Sequence, residues 1–207
     1  MATHLYLVRH GETDWNKDGR IQGQQNPPLN ELGRRQAKAV AEYLTAIRSD
    51  YDCLYSSDLL RARETAEVIA AKWGGQIILR SDLREQCFGV CEGFLAEEAL
   101  TRFGVDIRAY LRDPAGTSIP GGEDLRAMGT RGLRFLADLR EKHRGQAVIV
   151  VSHGGLIKTL LTLILGMPLH FRNRLEIANT AVSEVRLVET GDKVLALNIT
   201  HHLAQVF

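Results

Sequence analysis

Two histidines share the same local setting. His10 lies in Arg9-His10-Gly11-Glu12-Thr13 and His153 in Ser152-His153-Gly154-Gly155, each after an apolar run and each followed by glycine. Glycine lets a ligand approach the backbone, and a helix opened by Gly154-Gly155 presents free N–H groups to an anion. A third candidate is Arg61, in Ser56-Ser57-Asp58-Leu59-Leu60-Arg61-Ala62-Arg63-Glu64-Thr65-Ala66. It falls in the first turn of a predicted helix, where cations are disfavoured. A residue that breaks a local rule in this way marks a functional site. Arg63 and Glu64 read instead as solvated or intrahelical charges. The chemistry these residues can do together is the binding and turnover of an anion.

These groups need elements to position them. Residues 4–9 have the length and apolar character of a strand, and a polar loop runs from His10 to Pro28. Asn30 is an N-cap for a helix with Leu32, Ala37, Val40, Ala41, Leu44 and Ile47 on one face. Residues 52–56 form a second strand. Ser57 or Asp58 is expected to cap the next helix, which Gly74-Gly75 ends. Residues 77–80 form a third strand. One helix is expected at 96–112, with a loop around Pro114 and Ile119-Pro120-Gly121-Gly122. Leu125, Met128, Leu133, Leu136 and Leu139 recur at helical spacing. Residues 147–152, apolar on both faces, read as a central strand, and a helix follows from Gly154 to Leu165. Strands at 181–189 and 193–200 are joined by Gly191-Asp192, a hairpin signal. The pattern predicts an α/β three-layer sandwich: a mostly parallel central sheet, helices on both faces and an edge hairpin. Ligands in such sheets sit at the carboxyl ends of the strands, where both histidines fall.

Composition limits the alternatives. The chain has 207 residues, with 26 Lys+Arg against 25 Asp+Glu, so its net charge is +1. That sum holds no basic field for a nucleic acid or an anionic membrane, and any bound anion must be held by a few local charges. A chain of this size should expose roughly 10,000 Å² when folded, enough burial for a core without metal or disulfide staples. Cys53, Cys87 and Cys91 are too few for a disulfide framework, and Cys87-x3-Cys91 has no second Cys/His pair at metal spacing. They read as loop or buried thiols. The apolar stretch from Leu160 to Leu165 is far shorter than the ~20 residues of a membrane span. No leader signal precedes the first strand, so a cytoplasmic protein is expected, with residues 1–207 as one domain.

Arg9-His10-Gly11-Glu12-Thr13 resembles the signature of the histidine phosphatase superfamily, which also contains the cofactor-dependent phosphoglycerate mutases. The second histidine, in Ser152-His153-Gly154-Gly155, and the run from Ser57 to Ala66 match in order. Gly19-Arg20-Ile21-Gln22-Gly23 with Pro28-Leu29 resembles the family's substrate-side loop. Leu83-Arg84-Glu85-Gln86-Cys87-Phe88-Gly89, followed by Glu92-Gly93, resembles its acid-bearing segment. The resemblance implies a phosphoglycerate mutase-like fold and a phosphomonoesterase working through a phosphohistidine without metal or cofactor. In it His10 is the nucleophile, oriented by the Gly11 carbonyl, and Glu85 is the proton donor. Arg9, Arg61 and His153 clamp the phosphoryl group. Asn16, Gln22, Gly23 and the Gly154 N–H complete the substrate contacts. His153 should carry its proton only when a dianion occupies the site, because a helix N-terminus disfavours the cation. Glu12 is divided between the site and structural hydrogen bonding in its loop.

Two alternatives remain. A phosphoglycerate mutase would resemble the longer form of the family, with an extended insertion between the acid segment and the second histidine. Here that stretch is short, with a lid-like insertion at about 92–122, which resembles the hydrolase branch. A broad-specificity or alpha-ribazole phosphatase-like enzyme is expected. One departure stands out: Cys91 occupies the place where that branch carries Trp, which bears on the shape of the pocket. A non-catalytic phosphate-binding module should have lost one of Arg9, His10, Arg61, Glu85 or His153, and all five are present. The partner is expected to be a small phosphate ester; a homodimer is left open.

Overall fold

The computed structural model describes residues 1–112 and 118–206. In chain order its regular elements are β1 (Thr3–Arg9), α1 (Asp14–Lys17), α2 (Glu31–Ile47), β2 (Cys53–Ser57), α3 (Leu60–Trp73) and β3 (Ile77–Arg80). Next come α4 (Ala96–Phe103), α5 (Ile107–Arg112), α6 (Leu125–Lys142), β4 (Ala147–Ser152), α7 (Gly154–Ile164), β5 (Val182–Leu187) and β6 (Lys193–Ile199). The six strands form one sheet in the order β3-β2-β4-β1-β5-β6. The first four in that order are parallel, and β5 and β6 add an antiparallel edge.

Alternation along the central strands separates two cores. Ala147, Ile149 and Val151 of β4, with Tyr6 and Val8 of β1, pack on Val40, Ala41 and Leu44 of α2 and Ala62, Ala66 and Ile69 of α3. Val148 and Val150, with Leu5 and Leu7, face Met128, Phe135, Leu136 and Leu139 of α6 and Leu156, Ile157 and Leu160 of α7. Every residue of β4 is buried, as an apolar run covered on both faces requires. The chain exposes 9801 Å² in all, close to the value expected from its length.

Several local expectations are corrected. The helix expected over 96–112 is two helices, because Gly104 ends α4 in the left-handed conformation at φ 68°. The loop expected around Pro114 lies outside the described residues. Neither Ser57 nor Asp58 caps α3: Leu59 holds the N-cap position without a side-chain bond. Ile47 and Leu133, expected on buried helix faces, are 44% exposed. Asn30 does cap α2, its side chain accepting from the Gly33 N–H at 2.8 Å, and Gly74 closes α3 at φ 88°.

The sheet register determines what meets at its carboxyl edge. Arg9 pairs with Ser152 at the end of the β1–β4 ladder, so the next residue on each strand, His10 and His153, must be neighbours. Ser56 of β2 pairs with Val151, which brings Ser57 to the same place. Above this edge a third cluster forms from Cys91, Ala99, Val105, Ile107, Tyr110 and Ile119, with Ile21 and Phe88 against it. Cys91, at the position of the family's Trp, is fully buried in it.

Candidate active site

His10 is 3% exposed. Its Nδ1 is 2.7 Å from the Gly11 carbonyl oxygen, and Arg61 Nε donates to its Nε2 at 3.2 Å. A carbonyl can only accept and a guanidinium can only donate. Nδ1 therefore carries the hydrogen and Nε2 the lone pair. Burial, Arg61 and Arg9 hold the ring well below the ordinary histidine pKa, against a smaller opposing effect of the Gly11 carbonyl. The imidazole is neutral at pH 7, with a free electron pair on the atom that faces Arg61.

His153 is fully buried, its ring centroid 5.1 Å from that of His10. Its Nε2 meets Ser57 Oγ at 2.8 Å, while its Nδ1 is buried without a partner among the described residues. Burial, then Arg61 and His10, push its pKa well below the usual value. Ser57, expected as a helix cap, instead fixes this second imidazole.

The two arginines are held by the backbone. Arg9 donates to the Ile177 carbonyl at 2.7 Å, and its buried Nε has no partner among the described residues. Gly154 permits this packing: a Cβ there would lie 3.3 Å from Arg9 Nε. Arg61, 1% exposed, donates to the carbonyls of Gly23 and Gln25 at 2.8 Å each. Burial lowers its pKa to about 10, although Glu85 and Glu92 oppose the shift. One guanidinium thus joins α3, His10 and the 23–25 loop.

Glu85 bridges from its loop to α7. Its two oxygens accept from the Gln86 and Gly155 N–H groups, both at 2.8 Å. Any side chain at Gly155 would overlap that carboxylate. Asn16 Oδ1 accepts from the Thr13 N–H at 3.2 Å, so its amide NH2 is the donor it offers the cavity. Gly23 is left-handed at φ 51° beside Glu92, whose Oε1 accepts from the Gln24 and Phe88 N–H groups. Glu12 resolves towards structure: it accepts from the Asn30 amide at 2.9 Å, while its N–H donates to Gln36.

Arg9, His10, Asn16, Gln22, Gly23, Glu85 and Gly154 line one cavity of about 290 Å³, while His153 and Arg61 are packed against His10 off its wall. All the predicted site residues therefore converge. Sequence reasoning missed others. Lys158 and Arg172 also line the cavity. Asn179 donates to the His10 carbonyl at 3.0 Å, and Arg131 donates to the Glu85 carbonyl at 3.0 Å. Nothing local distinguishes these four; only the folded sheet brings them to the site. No group of three metal-ligating side chains occurs among the described residues. The arrangement offers a neutral nucleophile, flanking cations, backbone donors and a carboxylate.

Comparison with known proteins agrees with this geometry. The chain is 34% identical to phosphoserine phosphatase 1 of Hydrogenobacter thermophilus, over 98% of this chain and 95% of the relative. It is 38% identical to phosphoglycerate mutase-like protein 4 of Arabidopsis thaliana, over 91% of this chain and 81% of the relative. Among solved structures, a variant of the Entamoeba histolytica phosphoserine phosphatase, in complex with phosphoserine, superposes with a TM-score of 0.85 at 29% identity. That match covers 97% of this chain and 99% of the other. The profile of the histidine phosphatase superfamily (branch 1) matches residues 5–200, and the chain belongs to that family.

Proposed function

We propose that this protein is a metal-independent phosphomonoesterase that hydrolyses a small phosphorylated metabolite through a phosphohistidine on His10. The observation that carries this reading is the forced tautomer of His10, with Nδ1–H on the Gly11 carbonyl and the lone pair on Nε2. Neutral imidazole is the nucleophilic form. Arg9, Arg61 and the α7 N-terminus supply the charge compensation that a metal gives other phosphoryl transferases.

In the first step Nε2 attacks phosphorus and displaces Arg61 Nε from its lone pair. The P–O bond to the alcohol breaks, and Glu85, which takes a proton from solvent as the ester binds, gives it to the leaving oxygen. In the second step Glu85 takes a proton from water as the oxygen attacks phosphorus, breaking the P–N bond. Phosphate leaves, and both His10 and Glu85 return to their starting states. His153, next to His10 and with an open Nδ1, takes up a proton as the dianion binds. The insertion at about 92–122, whose described residues include Ile107 and Leu111 at the cavity, acts as the lid of a single catalytic domain. A broad-specificity activity on small esters and a cytoplasmic setting belong to this proposal; a cavity of about 290 Å³ suits a small ester, and no helix in the described residues is long and apolar enough to cross a membrane.

The test is turnover of an aryl phosphate by His10→Ala. Activity should fall at least 10³-fold, on the scale of losing a covalent nucleophile, with the fold retained by circular dichroism. Full activity in that variant would sink the mechanism, and loss of wild-type activity in EDTA would sink the metal-free reading. The mutase-like relative supports a second reading, transfer between phosphoglycerates. That reading requires mutase turnover dependent on 2,3-bisphosphoglycerate, with negligible release of phosphate.

A further inference from the structure

The cavity holds more positive charge than a phosphoryl group requires. Arg172, in the 3-10 segment Leu169–Arg174, is 2% exposed. Among the described residues its buried Nε has no partner, and its side-chain contact is a 3.4 Å approach to the neutral Gln86 amide oxygen. Lys158 is half-buried on α7, and both residues line the cavity with Arg9, His10 and Asn173. Neither makes an ion pair among the described residues. Burial pushes both pKa values down, and Arg9 and Arg172 push Lys158 further; Glu85 opposes both shifts and Glu176 opposes that of Lys158.

Burying Arg172 without an ion-pair partner is strongly unfavourable, and half-buried Lys158 puts a second cation beside it, only partly offset by Glu85 and Glu176. Arg9, Lys158 and Arg172 line the cavity with one carboxylate, Glu85, as does Arg20, which is paired with Glu98; Glu12, Glu92 and Glu176 act on Arg9, Arg61 and Lys158 from beyond its wall. A phosphoryl dianion matches Arg9 and Arg61, which leaves Lys158 and Arg172. Their placement separates the two pairs. Gly154 packs on Arg9 at the phosphoryl end, and Lys158 lies four residues further along α7, about 6 Å along its axis.

We infer that Lys158 and Arg172 form a second anion subsite, and that the substrate is a short-chain phosphomonoester carrying a carboxylate. The planar fork of Arg172 suits a carboxylate, and a cavity of about 290 Å³ accommodates a small acid. This inference rests on the phosphatase reading, which would hold equally for a substrate without a second charge.

Two matched pairs test it. Phosphoserine and phosphoethanolamine differ by the carboxylate alone, and 3-phosphoglycerate and glycerol 3-phosphate differ by carboxylate against hydroxymethyl. In each pair kcat/KM should favour the acid by 10-fold or more. Arg172→Gln should bring that ratio towards one, chiefly by raising KM for the acid. Lys158→Gln, at a half-exposed position, should do the same and guards against a folding defect in the first variant. Equal kcat/KM within both pairs would overturn the subsite, as would ratios unmoved in both variants. So would preference for a short diol bisphosphate over either acid. No turnover of any of these esters would instead overturn the phosphatase reading.

Discussion

At His10 the two ring nitrogens cannot exchange roles, because one faces a carbonyl and the other a guanidinium. His153 is less constrained: Ser57 can donate to its Nε2 or accept from it, and Nδ1 is open. The consequence is measurable. Its pKa is held well below 6.5 by burial and by Arg61, so the ring is neutral before an anion binds. A bound dianion favours the cation, and binding must then take up a proton. Affinity for sulfate, which stays dianionic between pH 6 and 8, should tighten as pH falls, by at most about tenfold per unit for one proton. Calorimetry in buffers of different ionisation enthalpy would count the protons. An affinity flat over this range would rule out His153 as the group that responds.

On the scale of elements, the acid segment is positioned from α6. Arg131 pairs with Glu123 at 2.7 Å and donates to the carbonyls of Asp82 and Glu85 at 2.8 and 3.0 Å. Arg131→Ala should lower kcat by 10-fold or more while costing about 2–3 kcal/mol of stability. Arg131→Lys should not restore kcat, since an ammonium lacks the fork that spans these partners. Steady-state kinetics beside denaturant unfolding would separate the two effects, and a destabilised variant with unchanged kcat would show that Glu85 does not depend on this clamp. The residue illustrates what a sequence can reveal. Asn30 was legible as a cap because cap and helix are adjacent. The strand at 147–152 was legible because full burial leaves a continuous apolar run. Arg131, Lys158 and Arg172 sit among ordinary helical or loop charges, and their work depends on groups that only the fold brings near, such as the Asp82 and Glu85 carbonyls for Arg131, 49 and 46 residues away in the chain. Ser57 and Asp58 misled for the same reason: a distant histidine and Arg84, which donates to Asp58 at 2.7 Å, claim the side chains that local rules assign to a cap. Arg9, His10, Arg61, Glu85 and His153 were found early because short motifs surround them.

For the whole molecule, a net charge of +1 conceals a concentrated positive centre beneath the lid cluster. Its cost appears in the pH dependence of stability. His10, His153 and His202, the last lowered to about 4 by burial and by His201, bind protons less readily in the fold than in the unfolded chain. Below about pH 6.5 the unfolded state therefore takes up protons that the native state refuses. Their stabilising effect is complete above that pH and is lost as pH falls through the lowered native pKa values, about 4 for His202, by at most about 1.4 kcal/mol per unit for each group. Thermal melts should drop by several degrees between pH 7.5 and 5.0, and a constant Tm over that interval would contradict the buried, neutral assignment. The sheet order has a consequence for the birth of the protein as well. β1 is wedged between β4 and β5, so during synthesis it has to wait until residues 147–152 and 182–187 have followed. Pairings this remote are slow to form. The strand that leads into His10 is made before both of its sheet neighbours and seated late, and the site at its end cannot assemble until residues 182–187 have been made.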